Sequence, residues 1–257
     1  MPETKQILVY FEGDDDKAFL EKLRAARLLA ENCKLAGRSK EQHPGKDGLV
    51  RQLLPFVRPA SGVGGTAVVL VDLDELTFEQ RFLWFRNQVQ QELQGSTPPV
   101  SLEDGPAINE RVRLLHLVAE GKTGRIALIP VGLPGDPQLA ETYKIDRFAI
   151  DDWLLRLIRN ERVFAAVSDL RSVPYPVAMA KFIEVAELFR KNGLEARKSK
   201  TYVQILRALA AIAPSTATIV GRLVQKGAEA LPPAEFRAIL HPLLDDLEAA
   251  LRALSEP

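Results

Sequence analysis

Over the first half of the chain, short apolar runs alternate with longer segments of helical periodicity. Gln6–Phe11 (QILVYF) is too short for a core helix and rich in β-branched and aromatic residues, which predicts a buried strand. Glu12-Gly13-Asp14-Asp15-Asp16 follows, and then a segment in which Phe19, Leu20, Leu23, Ala26, Leu28 and Leu29 recur at helical spacing. The aspartates lie where the positive end of that helix dipole would be. A second helix is predicted from near Asp47, after the turn His43-Pro44-Gly45-Lys46, to before Pro59, with a glycine-rich loop over 61–65. Within Thr66–Glu75 (TAVVLVDLDE), the run Ala67–Val71 has the continuous apolar character of a strand covered on both faces. Residues 78–93 (FEQRFLWFRNQVQQEL) predict an amphipathic helix in which Trp84 and Phe85 pack, and Gln94–Pro106 reads as a Gly/Ser/Pro-rich loop. Ile126–Val131 is a third buried strand, stopped by Gly132 and Pro134. Beyond about Phe148 no run resembles a strand, and four helical stretches follow: DDWLLRLI, VAMAKFIEVAELFRKNG, KTYVQILRALAAI and EFRAILHPLLDDLEAALRAL.

This alternation predicts an α/β fold over residues 1–147, with a Rossmann-like, mostly parallel sheet flanked by helices, and an all-α C-terminal extension over 148–257. Composition narrows the picture. The chain has 257 residues, 46% of them hydrophobic and 26% charged, which excludes a disordered chain. A single cysteine, Cys33, excludes a disulfide scaffold and a Cys-based zinc site, and reads as an inert thiol. No apolar run approaches the roughly 18 residues of a membrane span, and MPETKQILVYFEG lacks the apolar core of a signal peptide. A cytoplasmic protein without a membrane partner is expected. The balance of 34 Lys+Arg against 34 Asp+Glu argues against coating nucleic acid by bulk charge alone.

Ligands of open α/β sheets sit at the carboxyl ends of the strands, and two of the three strands end in acids. Glu12 follows the first; Asp72 and Asp74 follow the second. Strand alternation would point Asp72 and Asp74 the same way, and closely held carboxylates repel unless a cation lies between them. Oxygen ligands without His or Cys select a hard ion, Mg²⁺ or Mn²⁺. The plainer alternative makes Asp74 the N-cap of the following helix, and one of Asp14–Asp16 a cap of its own helix.

These residues resemble the Toprim domain, the metal-binding α/β module shared by type IA and type II topoisomerases, bacterial primases and overcoming-lysogenization-type nucleases. The likeness is greatest to small stand-alone Toprim-like proteins. Their motif of an apolar strand and E-G-x-x-D-x-x-F stands here as Ile7–Phe11 and Glu12-Gly13-Asp14-Asp15-Asp16-Lys17-Ala18-Phe19. The second motif, strand and D-x-D, stands as Val68–Val71 and Asp72-Leu73-Asp74; Gly45-Lys46-Asp47-Gly48-Leu49 is similar to the G-K-D-x-L turn of the stand-alone group. The resemblance covers residues 5 to about 160 and leaves the helical third uncovered. A topoisomerase gate and a primase zinc module are both missing, and Tyr10, Tyr143, Tyr175 and Tyr202 read as packing residues.

The resemblance implies a Toprim-like fold and Mg²⁺- or Mn²⁺-dependent phosphodiester hydrolysis or phosphotransfer on nucleic acid, DNA or RNA. Glu12 would be the general acid/base or a metal ligand, and Asp72 and Asp74 would hold the ion. Asp16 is a further ligand or a first-turn carboxylate. Asp151 and Asp152, opening the helix before Trp153, resemble the acidic pair of stand-alone relatives, with Asp152 taken as a ligand; the plainer alternative makes the pair a helix cap. Lys46 would offer charge to phosphate, the commoner alternative being an exposed turn lysine. The alternative is a non-catalytic or regulatory module whose acids bind a metal or nucleotide while its helices bind a protein partner; a homodimer or protein partner is compatible with either reading.

Two other acid constellations fit less well. Response-regulator receivers lack the E-G and carry a lysine where this chain has Ile129-Pro130-Val131-Gly132; haloacid-dehalogenase-type phosphatases use D-x-D-x-T, and Thr77 lies one position too late. His43, His116 (on an expected helix) and His241 lack ligand spacing. Basic residues gather late in the chain, at Arg190, Lys191, Arg197, Lys198 and Lys200 against Glu195. They are either ordinary partners of a helix C-terminal dipole or, as Arg197, Lys198 and Lys200, a phosphate-contacting patch opposite the acids, so that zero net charge conceals a bipolar molecule.

Overall fold

The structure, a computed structural model, describes residues 6–36, 46–57, 65–169, 172–193, 197–211 and 216–255. The elements run β1 (Ile7–Tyr10), α1 (Asp14–Ala25), β2 (Cys33–Leu35), α2 (Lys46–Val57), β3 (Thr66–Asp72), α3 (Phe78–Leu93), β4 (Ser101–Ala107), β5 (Arg113–Ala119) and β6 (Lys122–Val131). A π-helical turn (Gln138–Thr142) precedes α4 (Asp151–Ile158), α5 (Glu161–Val167), α6 (Tyr175–Lys191), α7 (Ser199–Leu209), α8 (Thr216–Ala230), α9 (Pro233–Leu240) and α10 (Leu243–Ser255).

The strands form one six-stranded sheet in the order β2-β1-β3-β6-β5-β4. β2, β1, β3 and β6 pair in parallel, whereas β5 runs antiparallel to both β6 and β4. The expected mostly parallel sheet flanked by helices is present. The antiparallel edge differs from the expectation: Gln94–Pro106 holds all of β4 but its last residue rather than only loop, and His116 lies on β5 rather than on a helix. Likewise, the last predicted helix is two, α9 and α10, parted at His241-Pro242 because proline cannot supply the N–H that would continue the first.

Side-chain alternation along β3 shows how the sheet is covered. Val68 and Leu70 face a core built with α1, α4, α5 and the C-terminal helices, while Ala67, Val69 and Val71 face a second core with α2 and α3. Each fully buried residue of this kind, such as Trp153, Phe19 or Phe85, contributes about 1.5–3 kcal/mol. α8 packs on α1 and α10 against β3 and β6, so the C-terminal helices share the first of these cores with the sheet. Cys33 is buried there, and burial pushes its thiol up to about 11, as expected of an inert cysteine. Tyr10, Tyr143 and Tyr202 are buried, and Tyr143 packs against both Phe182 and Tyr202. Among the described residues no helix is long and apolar enough to cross a membrane.

Chain order places the site. From β1 the chain moves outward to β2, then crosses back to β3 on the other side of β1. α1 and α2, which make those two moves, lie on opposite faces. The carboxyl ends of β1 and β3 thus flank the point where strand order reverses, the usual ligand crevice of such a sheet. Backbone bonds stitch further segments to that edge. Asp74 N–H donates to Phe148 O at 2.8 Å and Phe148 N–H returns to Asp74 O at 2.9 Å; Arg147 N–H donates to Arg197 O at 3.0 Å. Gly132, with φ of +150°, permits this approach, since a Cβ there would lie 2.4 Å from Phe148 Cβ.

Candidate functional site

Glu12 emerges from β1 beside Asp72 at the end of β3, and its Oε1 accepts the Asp72 backbone N–H at 2.7 Å. Gly13 caps α1, and its N–H donates at 2.8 Å to the side chain of Asp16, the third helical residue. Asp16 is therefore a capping carboxylate, as its plainer reading had it, and a buried one facing the same edge. Burial pushes its carboxyl up to about 7; the Gly13 bond opposes the shift, and the charges of Glu12, Asp151 and Asp15 add to it. Asp151 rises to about 6, mainly through burial and partly through Asp15, with Lys200 and Lys198 pulling the other way. Glu12, Asp15, Asp16 and Asp151 thus form one mutually repelling carboxylate group next to Asp72.

Asp74 is paired with cations. β3 ends at Asp72, and Asp74 follows in the left-handed region with φ of +51°, so strand alternation does not extend to it. It is not the cap of α3: Thr77 is, through a reciprocal pair of bonds with Gln80. Instead Arg81 reaches Asp74 Oδ2 at 3.2 Å and Leu73 O at 3.0 Å, while Lys198 reaches Asp74 Oδ1 at 3.4 Å.

Asp152 is fully buried in α4. Its Oδ2 accepts N–H bonds from Leu133 at 2.9 Å and Ala149 at 3.3 Å, and its Oδ1 accepts the Ser199 hydroxyl. Those bonds occupy both of its oxygens within the protein interior, one of them on Ser199 at the start of α7. Burial pushes its carboxyl from 3.8 up to about 7, with the Ser199, Leu133 and Ala149 bonds opposing. A raised folded value means that the folded state holds a proton the unfolded chain has released. The stability this group contributes is complete below about pH 4 and is lost as pH rises through about 7. Asp152→Asn, which cannot ionise and can still accept from both backbone N–H groups, is expected to flatten the fall in melting temperature between those limits; an unchanged slope in calorimetric scans would assign the pH dependence elsewhere.

The basic segment arrives through α7. Lys198 and Lys200 flank its first residue, and Lys200 Nζ lies 2.6 Å from Asp15. Arg197 forms a bidentate pair with Asp146 at 2.7–2.9 Å and approaches Glu75 at 3.8 Å, while Arg147 reaches Glu75 at 2.8 Å. The four cations border an open cleft of about 840 Å³, continued by Thr201, Gln204, Ile205 and Ala208. Lys191 is exposed at the end of α6, while the side chain of Arg190 and all of His43 and Glu195 lie outside the described residues. Lys46 opens α2, and its side chain also lies outside them.

Arg147, Arg81 and Ser199 escaped the sequence reading because none belongs to a motif. A partial signal existed for the cleft wall: Thr201, Gln204, Ile205 and Ala208 follow the three- and four-residue spacing of one helix face.

Among the described residues no three or more His, Cys, Asp or Glu side chains are clustered as a ready metal site. The donor chemistry nevertheless suits a hard cation. Glu12, Asp16, Asp72 and Asp151 offer only carboxyl oxygen, and the Asp16 carboxyl, raised mainly by burial, is raised further by the neighbouring charges of Glu12, Asp151 and Asp15.

Fold and site define an α/β protein with a six-stranded, mostly parallel sheet, C-terminal helices, and facing acidic and basic groups at the carboxyl edge of the parallel strands. No family model and no curated protein matches the chain. Among solved structures, the hypothetical protein PH0156 from Pyrococcus horikoshii OT3 is similar over 96% of this chain and 98% of its own, with a TM-score of 0.54 and 15% identity. That likeness is one of fold.

Proposed function

We propose that the protein is a Toprim-like, divalent-metal-dependent phosphodiesterase acting on nucleic acid. The observation that carries this reading is the contact between opposite charges at the strand ends: Lys198 meets Asp74, Lys200 meets Asp15, and both lysines also line the cleft with Arg147 and Arg197. A polyanion cannot approach a carboxylate cluster without cations beside it to offset the repulsion, and this chain supplies them from a segment remote in sequence. The Asp72 N–H orients Glu12 for proton transfer or for ligation. A Mg²⁺ or Mn²⁺ ion held by Glu12, Asp16 and Asp72 would supply stabilisation of charge developing on the phosphoryl oxygens. Lys198, Lys200, Arg147 and Arg197 would bind and orient the phosphates, the arginines by exchanging Asp146 and Glu75 for phosphate oxygens.

One observation favours a second reading, a non-catalytic metal- or nucleotide-binding Toprim module in a protein complex. Asp74, the second acid of D-x-D, is already held by Arg81 and Lys198, as in a structural ion-pair cluster. Incubation with plasmid DNA and with RNA separates the two. The phosphodiesterase should cut in Mg²⁺ or Mn²⁺, stop in EDTA, and lose activity in Asp72→Asn; intact substrate under every ion, with ion binding shown by calorimetry, would leave the non-catalytic module.

A further inference from the structure

The cleft beside the acids changes character along its length. At the start of α7 its border is cationic, with Arg147, Arg197, Lys198 and Lys200; one to two turns on, its wall is Gln204, Ile205 and Ala208. At 1.5 Å per residue, Lys198 to Ala208 spans about 15 Å of helix, so the cleft leads away from the carboxylates. Its volume of about 840 Å³ is that of a site for a whole small-molecule group rather than for a single ion.

The cations are available to a ligand. Their side chains are 37–45% exposed, and ion pairs at such exposure are worth about 0.2–1 kcal/mol, so a phosphate can compete with Glu75, Asp146, Asp74 and Asp15 for them. Arg147 Nε, although 2.8 Å from Glu75, is buried without an aligned hydrogen-bond partner in the protein. A site for phosphate alone gains nothing from Ile205 and Ala208. Gln204 Oε1 accepts from Arg207 at 2.7 Å, which leaves its amide N–H groups for a ligand; an aliphatic wall next to such a donor suits a planar base, its face against Ile205 and Ala208 and an acceptor on its edge toward Gln204.

We infer that the α7 cleft takes an unpaired nucleotide of the substrate strand, adjoining the phosphate at the acidic cluster. A base within a duplex has both faces stacked and its edge paired, and must be extruded at a cost of a few kcal/mol before it can meet this wall. A single strand avoids most of that cost. The protein therefore selects single strands, overhangs and flaps over blunt duplex. The inference rests on the phosphodiesterase reading of the neighbouring acids, and adds to it the form of the strand.

The test is fluorescence anisotropy with the full chain in Ca²⁺, comparing a labelled single-stranded oligonucleotide with a blunt duplex of the same sequence. The single strand should bind about tenfold or more tightly, the cost of extruding a base being the source of the difference. Ala208→Glu and Gln204→Ala, both on the outer face of α7, should weaken single-strand binding more than duplex binding while leaving the melting temperature unchanged. Ala208→Lys separates shape from charge: filling the cleft should erase the single-strand preference, whereas a purely electrostatic site would bind both forms more tightly. Equal binding of the two forms, or a preference untouched by all three substitutions, overturns the inference. So does a nucleoside monophosphate that displaces the strand at the strand's own affinity, since the cleft would then be a free-nucleotide site. Cutting assays on the same variants keep the two readings apart. Single-strand preference without cutting in Mg²⁺ or Mn²⁺ sinks the phosphodiesterase and leaves the cleft; cutting of duplex that ignores Ala208→Glu does the reverse.

Discussion

Glu12→Gln is expected to lower metal-dependent cleavage by about 10²–10⁴-fold, the range for removing a general acid or base. The substitution is informative because of what it preserves. Glu12 Oε1 accepts the Asp72 N–H at 2.7 Å, and the glutamine amide oxygen can accept the same bond, so the junction of β1 and β3 should remain closed. What is lost is one negative charge and the capacity to carry a proton. Melting temperature should therefore hold while turnover collapses. Glu12→Ala is the useful contrast: it strands a part-buried N–H at about 1–3 kcal/mol, so it should lose stability as well as activity. If Glu12→Gln cuts at the wild-type rate, Glu12 is a structural acceptor for β3, and the proposed chemistry loses its central residue.

The second large effect lies away from the cleft. Arg111, in the turn between β4 and β5, donates through Nε to Asp246 Oδ2 of α10 at 2.7 Å and through a terminal nitrogen to Gly132 O at 3.0 Å. Asn109 completes the cluster, donating to Asp246 Oδ1 at 3.1 Å, and the Arg111 guanidinium lies over the Phe78 ring. The two charged side chains are only 9% and 3% exposed. Burial alone would drive the Asp246 carboxyl well up, and the arginine opposes that shift without cancelling it. Arg111→Met is expected to cost about 3–5 kcal/mol, because it leaves a carboxylate in the protein interior without its cation. For a chain of this size that is roughly 10 °C in melting temperature. The double substitution Arg111→Met with Asp246→Leu should recover most of the loss, since two apolar side chains carry no desolvation cost. A single substitution as mild as the double would mean that the pair contributes nothing beyond its packing.

The legibility of the sequence follows the range of the interactions involved. β1, β3 and β6 are readable because strands covered on both faces are apolar at every position, and Ala67–Val71 shows this without reference to anything else. β4 hides because it lies at the sheet edge with no buried face: Ser101–Ala107 is exposed or half-exposed throughout. β5 hides for a different reason. Leu114, Leu115, Leu117 and Val118 suit one face of a helix as well as a strand, and only the pairing with β6 decides. The break at Pro242 was a local signal that the apolar periodicity on either side obscured.

At the site, local pattern determined that Glu12 and Asp72 stand at or just beyond the ends of strands and that Asp16 lies in the first turn of the helix that follows, because such acids are visible within a handful of residues. It also determined that a basic group exists near residues 197–200. Tertiary structure alone decided their roles: Asp152 turns inward to hold Ser199, Asp74 falls to Arg81 and Lys198, and Lys198 meets an acid 124 residues earlier in the chain. The reason is that periodicity records which face of an element is buried, whereas the partner across a crevice is set by backbone bonds such as those of Arg147 and Phe148, which join segments that the sequence keeps far apart.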